Sequence, residues 1–586
     1  MIKVYQYVKN EYETIFYRII FYLSFYITTL FFYLTYSVID SPDLAKYYKY
    51  FEFYSGSITA VGLEQGHIYF FLNYFIAFTY SLIYDFFTLN EILNIAVHTT
   101  NSFIFLFGCM GIKKCLAEKY DKKNIYLVLA ILCFLPPSFQ LRVTFKPEIL
   151  AFACLGWLFL YLSKIYQNDG SINIIKFILL FSLVITSKIS IAFLISVILL
   201  LEIFINKRKV FSKLKLTHFL IFLLIVSSLS IENTRMNDKF INQVEHEEKY
   251  NNTVDLSFFT KFDQNDFIDN PNKYFFYDSF IGITMFDSFN DFFGLYNNSE
   301  HTELNIERKQ FFKVVFRGGQ VLPLNMKFDK NDVLFTFSGL YDRGWNEKNY
   351  IDETRMKTSF IFSLIVYFLL LLFAIFKKSL RIIFVSPFIG IFVVSVSALG
   401  FFGTNNYDPN TGDSFKTFYY GYLLLFAFSF LLSQIFEKKL FKKTISIVLV
   451  LLMLFFLGFP FKYSQQTEEM IIDKNSQILT CKYNYPVVNL FLNVNEKIKC
   501  DKSRSTKNLI SPDSYMPPID FGLKKIPFIN IFVLFTYLLL FSSKKISLKV
   551  SSFSLLLINI VRPLVTFINT PSLIKDVKKS TFEFLR

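Results

Sequence analysis

Asp40 and Asp43 stand in the stretch Val38-Ile39-Asp40-Ser41-Pro42-Asp43-Leu44-Ala45-Lys46-Tyr47, directly after an apolar run. A carboxylate can take the proton from an attacking hydroxyl, and a helix begun after Pro42 turns Asp43 and Tyr47 onto one face, because residues four apart are neighbours. The chemistry these residues invite is general-base catalysis beside a membrane surface, with Asp43 as the first candidate base and Asp40 in reserve. Helix capping by Ser41 or Asp43 accounts for the same residues without any chemistry.

A second group is Arg142-Val143-Thr144-Phe145-Lys146-Pro147-Glu148. Pro147 suits the first turn of a helix, and Glu148 just behind it interacts well with the positive end of the helix dipole. Arg142 and Lys146 on the same surface offer two cations beside exposed backbone N–H groups, which is what a phosphate needs. Capping plus interfacial cations is the plainer account. Lys188 interrupts the apolar run from Phe177 to Leu201 in its middle. Charge at membrane depth is costly and tends to be kept for a task, so Lys188 marks a tight outer turn or faces a polar cavity.

The elements that must position these residues are membrane helices. Over half of the 586 residues are hydrophobic (53%), a fifth are aromatic (20%), and the mean hydropathy is +0.40, values that exclude an ordinary soluble domain. The net charge of +15 falls in short clusters between apolar segments, without a zinc, RNP or helix-turn-helix context, so no nucleic-acid partner is expected. Six cysteines include no C-x-x-C pair, and no metal-ligand spacing is present.

Ile19 to Ile39 is 21 residues without a charge, enough at about 1.5 Å per residue to cross a hydrocarbon core of roughly 30 Å. It lacks the short core and cleavage site of a secretory signal and is expected to remain as an anchor. Lys3, Lys9 and Arg18 place the N-terminus in the cytoplasm. Ile92 to Ile112 leads into Lys113, Lys114, Lys119, Lys122 and Lys123, which by the same rule is also cytoplasmic. The stretch from His67 to Phe87 then lies on or dips into the outer interface instead of crossing, with Tyr69, Tyr74, Tyr80 and Tyr84 at headgroup level. Ile125 to Pro137 and Ile149 to Leu162 form a short up-and-down pair, and a second pair surrounds Ser187-Lys188.

The fold class expected is an all-α polytopic membrane protein of about 12 to 13 transmembrane helices with a large mixed extracytoplasmic loop region. An N-terminal transmembrane module covers 1–231, with its first outer loop at 40–91. An extracytoplasmic region at 232–358, helices at 359–461, a second outer region at 462–525 and C-terminal helices with a tail at 526–586 complete the order. Arg562-Pro563 leaves the last segment either a span or an interfacial helix. Cys481 and Cys500 are the two cysteines placed outside, and a disulfide between them is expected.

In order and spacing, residues 1–215 resemble the GT-C glycosyltransferases, and within them the branch of protein O-mannosyltransferases and lipid A aminoarabinose transferases. The features that carry the resemblance are the cytoplasmic start, Asp43 four residues before Tyr47, the interfacial helix at His67, the basic inner loop, Pro147-Glu148 and Lys188. The resemblance implies transfer of a sugar from a polyprenyl-phosphate donor to a glycan, lipid or protein acceptor on the extracytoplasmic face of the membrane, the inner (plasma) membrane in a bacterium. Asp43 or Asp40 would be catalytic, Arg142, Lys146 and Lys188 would hold the donor phosphate, and Tyr47, His67 and Glu148 would bind substrate. No cofactor is certain; a divalent metal could supply part of the positive charge. Two other readings stand beside it: an O-antigen-type polymerase, with key arginines such as Arg317 or Arg343 in the later outer loops, and a lipid-linked oligosaccharide flippase or carrier.

Overall fold

The computed structural model describes residues 2–35, 44–56, 66–83, 89–167, 171–205, 214–223, 353–398, 418–437, 444–451 and 453, together with the backbone of six short strands. The N-terminal helices are α1 (Ile2–Thr35), α2 (Leu44–Ser55), α3 (His67–Ile83), α4 (Leu89–Leu116), α5 (Lys122–Leu132), α6 (Pro136–Val143), α7 (Ile149–Gln167), α8 (Ser171–Ser187) and α9 (Ile189–Ile205). Further on come α10 (Glu353–Phe376), α11 (Arg381–Ala398) and α12 (Phe418–Ile435).

Among the described residues three helices are long and apolar enough to cross a membrane: Glu11–Tyr33 within α1, Ile92–Leu116 within α4, and α7 itself. A fourth is added if α5 and α6 count as one broken span. The hydroxyls that interrupt α1 are satisfied inside the helix: Ser24 donates to the Ile20 carbonyl at 2.8 Å and Thr28 to the Ser24 carbonyl at 2.7 Å. They therefore carry no desolvation penalty in apolar surroundings.

The directions of the helices follow from their contacts. Glu13 meets Lys123, Phe21 meets Tyr126 and Phe32 meets Phe139, so α1 runs parallel to the α5–α6 path. Thr29 meets Ser102 and Tyr33 meets His98, so α4 runs antiparallel to α1. Phe105 stacks on Phe152, Phe107 on Trp157, and Ser163 donates to Glu118, so α7 runs parallel to α4. The start of α1 and the lysine-rich turn after α4 consequently share one end of the bundle.

Glycines set how closely α4 and α7 approach. A Cβ on Gly156 would lie 2.5 Å from the Ile112 nitrogen and 2.6 Å from the Gly111 carbonyl carbon, and one on Gly111 would lie 2.5 Å from the Trp157 ring. Small residues at a helix contact let backbones touch, which matters most where no hydrophobic force draws helices together.

Two features differ from the sequence expectation. The apolar run from Ile125 to Pro137 is not one straight element: α5 and α6 meet at 71°, because Pro136 has no N–H to continue α5 and instead opens α6 at its first turn. In α3, Tyr69 and Tyr74 are both fully buried against protein and do not present their rings to lipid headgroups. The cause is a partner: the Tyr69 hydroxyl donates to Asn101 Oδ1 at 2.8 Å.

Outside the helices, β1 (Phe312–Phe316) pairs antiparallel with β2 (Val321–Leu322) and β3 (Val333–Ser338). Likewise β5 (Leu479–Tyr483) pairs antiparallel with β4 (Glu468–Ile472) and β6 (Lys497–Lys499). The expected Cys481–Cys500 bond lies outside what is described of these segments, as do Arg317, Arg343 and the segment 550–568.

Candidate functional site

The end of the bundle opposite the lysine-rich turn is where several chain breaks meet. Backbone leaves α6 at Val143 and runs extended to Pro147, so its carbonyls need partners from elsewhere. Asn101 supplies them: its Nδ2 donates to the Arg142 carbonyl at 2.9 Å and to the Thr144 carbonyl at 2.8 Å, while its Oδ1 accepts from Tyr69. The turn that opens α7 then forms with N–H donation from Leu150 to Pro147 and from Ala151 to Glu148, both at 3.0 Å. The sequence expectation for Pro147-Glu148 at a helix start agrees with this geometry.

Two more breaks close on that turn. The Gly66 N–H, just before α3, donates to the Thr186 carbonyl near the end of α8 at 2.9 Å. Gly66 has φ of +78°, and a Cβ there would sit 2.7 Å from Pro147, so both its backbone conformation and the close approach require glycine. Lys188 fills the one-residue gap between α8 and α9. Its ammonium reaches across to Glu148 Oε1 at 2.7 Å.

This pair is largely buried: the side chain of Glu148 is 2% exposed and that of Lys188 13%. Lys146 is buried beside it. Burial alone would push the Glu148 carboxyl up, but the Lys188 charge, the Lys146 charge and the hydrogen bond from Lys188 outweigh it and hold the group below the usual glutamate range. Glu148 is therefore ionised. Its second oxygen, Oε2, and the hydroxyl of Tyr422 in α12, which lies within electrostatic range of Glu148, are buried atoms with no hydrogen-bond partner among the described residues. Buried polar atoms are nearly always paired, so two orphans beside an ion pair mark a place where a polar ligand or water completes the set.

Arg142 is elsewhere. It is 1% exposed, and it turns inward to α1, donating to Thr28 Oγ1 at 2.7 Å, to Thr29 Oγ1, and to the Phe25 carbonyl at 3.4 Å. The rings of Phe25, Phe32 and Phe105 surround its guanidinium at 4.7 to 5.2 Å. The expectation of an Arg142 presented to a phosphate on the surface is replaced by one that fastens α6 to α1, because hydroxyls and aromatic faces, which no local spacing reveals, satisfy it first.

Tyr47 is likewise buried against protein: its ring lies 4.9 Å from Phe70 and 6.3 Å from Phe145. His67 is buried at the start of α3, edge-on to Tyr50 at 5.4 Å, with its carbonyl accepting from the Tyr54 hydroxyl. Asp40 and Asp43 lie outside the described residues. The structure thus brings Glu148, Lys188 and Lys146 together, with Tyr422, Tyr69 and Asn101 as members that the sequence reading missed.

Among the described residues no three His, Cys, Asp or Glu side chains group as metal ligands. One carboxylate between two ammonium groups is a donor set suited to an anion that also carries hydroxyls, with the lysines meeting the charge and Glu148 accepting from O–H.

The chain matches no family model, no curated protein and no solved structure.

Proposed function

We propose that this chain is an integral-membrane glycosyltransferase, moving a sugar from a polyprenyl-phosphate donor to a lipid, glycan or protein acceptor on the extracytoplasmic face. The observation that carries the reading is the buried Glu148–Lys188 pair with Lys146 beside it, at the bundle end away from the lysine-rich turn. Fixed charge in so apolar a chain is costly and tends to be kept for a task.

In the reaction, the acceptor oxygen forms a bond to the anomeric carbon as the bond from that carbon to the phosphate oxygen breaks. The acceptor proton passes to a carboxylate, for which Asp43 is the candidate and Asp40 the reserve. The electron pair leaves with the lipid phosphate, whose charge Lys188 and Lys146 stabilise without acting as acids. Glu148 accepts hydrogen bonds from sugar hydroxyls and fixes Lys188, while Arg142 fastens α6 to α1.

A carrier for lipid-linked sugars is favoured by one feature: Lys188 sits at a break between two apolar helices, as ligand-binding charges do in discontinuous transporter helices. Lys188→Met separates the two. A transferase with that change should show a raised apparent KM for the lipid-linked donor and a reduced turnover, measured as labelled sugar in the acceptor. A carrier would instead move labelled lipid-linked sugar between leaflets with no product, which would refute the transferase reading.

A further inference from the structure

The opposite end of the bundle holds a second cluster that the proposed reaction does not use. Trp157 and Tyr161, one turn apart on α7, lie nearly parallel, 14° between planes and 6.2 Å between ring centres. Three lysines from three helices bring their ammonium groups to these rings. Lys114 at the end of α4 is 4.8 Å from the Trp157 ring, while Lys164 of α7 and Lys176 of α8 both approach the Tyr161 ring, at 5.8 and 5.6 Å. Ring faces attract each cation, and lysines from three helices at one end of the bundle make a surface that suits an anion. Glu118 is close by, but it is exposed and accepts from the Ser163 hydroxyl at 3.1 Å.

What kind of anion fits is decided by the surface leading to the cluster. On α4, Phe103, Phe107, Met110 and Lys114 follow at steps of four, three and four residues and so share one face. Phe103 is 67% exposed, Phe107 and Met110 are partly buried, and Lys114 is exposed. The face is thus an apolar strip that ends in a cation, along the candidate span Ile92–Leu116. A soluble phosphate has no use for the strip. An acyl chain does, and aromatic side chains with lysines at the end of a span are what headgroup depth selects.

We propose that the Lys114, Lys164 and Lys176 cluster over Trp157 and Tyr161 is a binding site for the headgroup of an anionic phospholipid, whose acyl chain lies along Phe103, Phe107 and Met110. The site occupies the end of the bundle that carries Glu13 and Lys123, away from the Glu148–Lys188 pair, and it stands whether or not the chain transfers sugars.

Trp157 reports on the site directly. The chain has two tryptophans, so in a Trp345→Phe background Trp157 is the single indole. The full-length protein is reconstituted in vesicles of phosphatidylcholine and phosphatidylglycerol, with bromine on the acyl chains of one lipid or the other. Brominated phosphatidylglycerol should quench Trp157 more strongly than brominated phosphatidylcholine at equal mole fraction. Replacing Lys114, Lys164 and Lys176 by Gln should reduce that preference, by about fivefold for each lysine, the ratio that ~1 kcal/mol per basic residue corresponds to. Should the triple variant lose helix by circular dichroism, the Trp345→Phe protein alone still decides: its preference should shrink between low and high salt. Equal quenching by the two lipids, a preference that salt and the triple variant leave intact, or its removal by millimolar inorganic phosphate would each overturn the proposal.

Discussion

At the scale of single residues, Glu148 and Lys188 each keep the other's charge from standing alone in an apolar interior. Removing one partner of a buried pair typically costs about 3–5 kcal/mol, whereas removing both can cost far less. Thermal unfolding in detergent should therefore show Glu148→Gln and Lys188→Met each strongly destabilised and the double variant less so than the sum, with coupling of about 1–3 kcal/mol in a double-mutant cycle. Additive losses would mean that the two groups do not depend on each other. The same pair gives a pH signature. The Glu148 carboxyl titrates lower in the folded protein than in the unfolded chain, so its contribution is complete above the ordinary glutamate value of about 4.3 and is lost as pH falls through the depressed folded value. Melting temperature followed downward from pH 6 should fall more steeply in wild type than in Glu148→Gln at acid pH, and a parallel decline would contradict the assignment.

Among elements, the contact of α4 with α7 is tightly constrained, because backbone atoms and not flexible side chains face Gly156. Gly156→Ala should cost about 1–3 kcal/mol by overpacking, despite the better helix propensity of alanine, and an unchanged melting temperature would show that the helices can part. This scale also shows what the amino-acid order reveals. Glu148 and Lys188 were legible because a carboxylate after proline and a lysine inside an apolar run are each anomalous locally. Their meeting was not, since it depends on the way α7, α8 and α9 pack. Arg142 was misread for a related reason: Thr28 and Thr29 lie more than a hundred positions away, and serine and threonine hydroxyls in an apolar helix look like ordinary back-bonded residues. Tyr422 is one of 36 tyrosines, in a segment already rich in aromatics, and nothing local sets it apart.

For the whole molecule, the bundle has two unlike ends and an apolar flank. Tyr12, Phe16, Ile19, Leu23, Tyr26 and Leu30 recur every three to four residues on α1 and are all more than 40% exposed, a continuous surface that water does not tolerate and hydrocarbon does. The 3.0 Å bridge from Glu13 to Lys123 ties the start of α1 to the lysine-rich turn, so whichever side holds one holds both. With the positive-inside rule this predicts that a cysteine at exposed Lys119 stays unlabelled by an impermeant maleimide in intact cells and reacts after permeabilisation. Labelling from outside would invert the bundle and move the Glu148 site to the cytoplasm. The helical class, the first long spans and the helix start at Pro147 were readable from hydropathy and proline; the α5–α6 bend was not, because a double proline reads equally as the end of a span or as a corner within one.

The central claim, sugar transfer at the Glu148 end of the bundle, is tested most directly by Asp43→Asn, assayed with a polyprenyl-phosphate-linked sugar and the native acceptor at matched protein levels in membranes. Asparagine keeps the size of aspartate and still caps a helix, so a residue that only caps loses little. A general base turned into an amide should cost about 10² to 10⁴-fold in turnover while folding and membrane insertion remain as in wild type. Wild-type turnover by both Asp43→Asn and Asp40→Asn would contradict the mechanism.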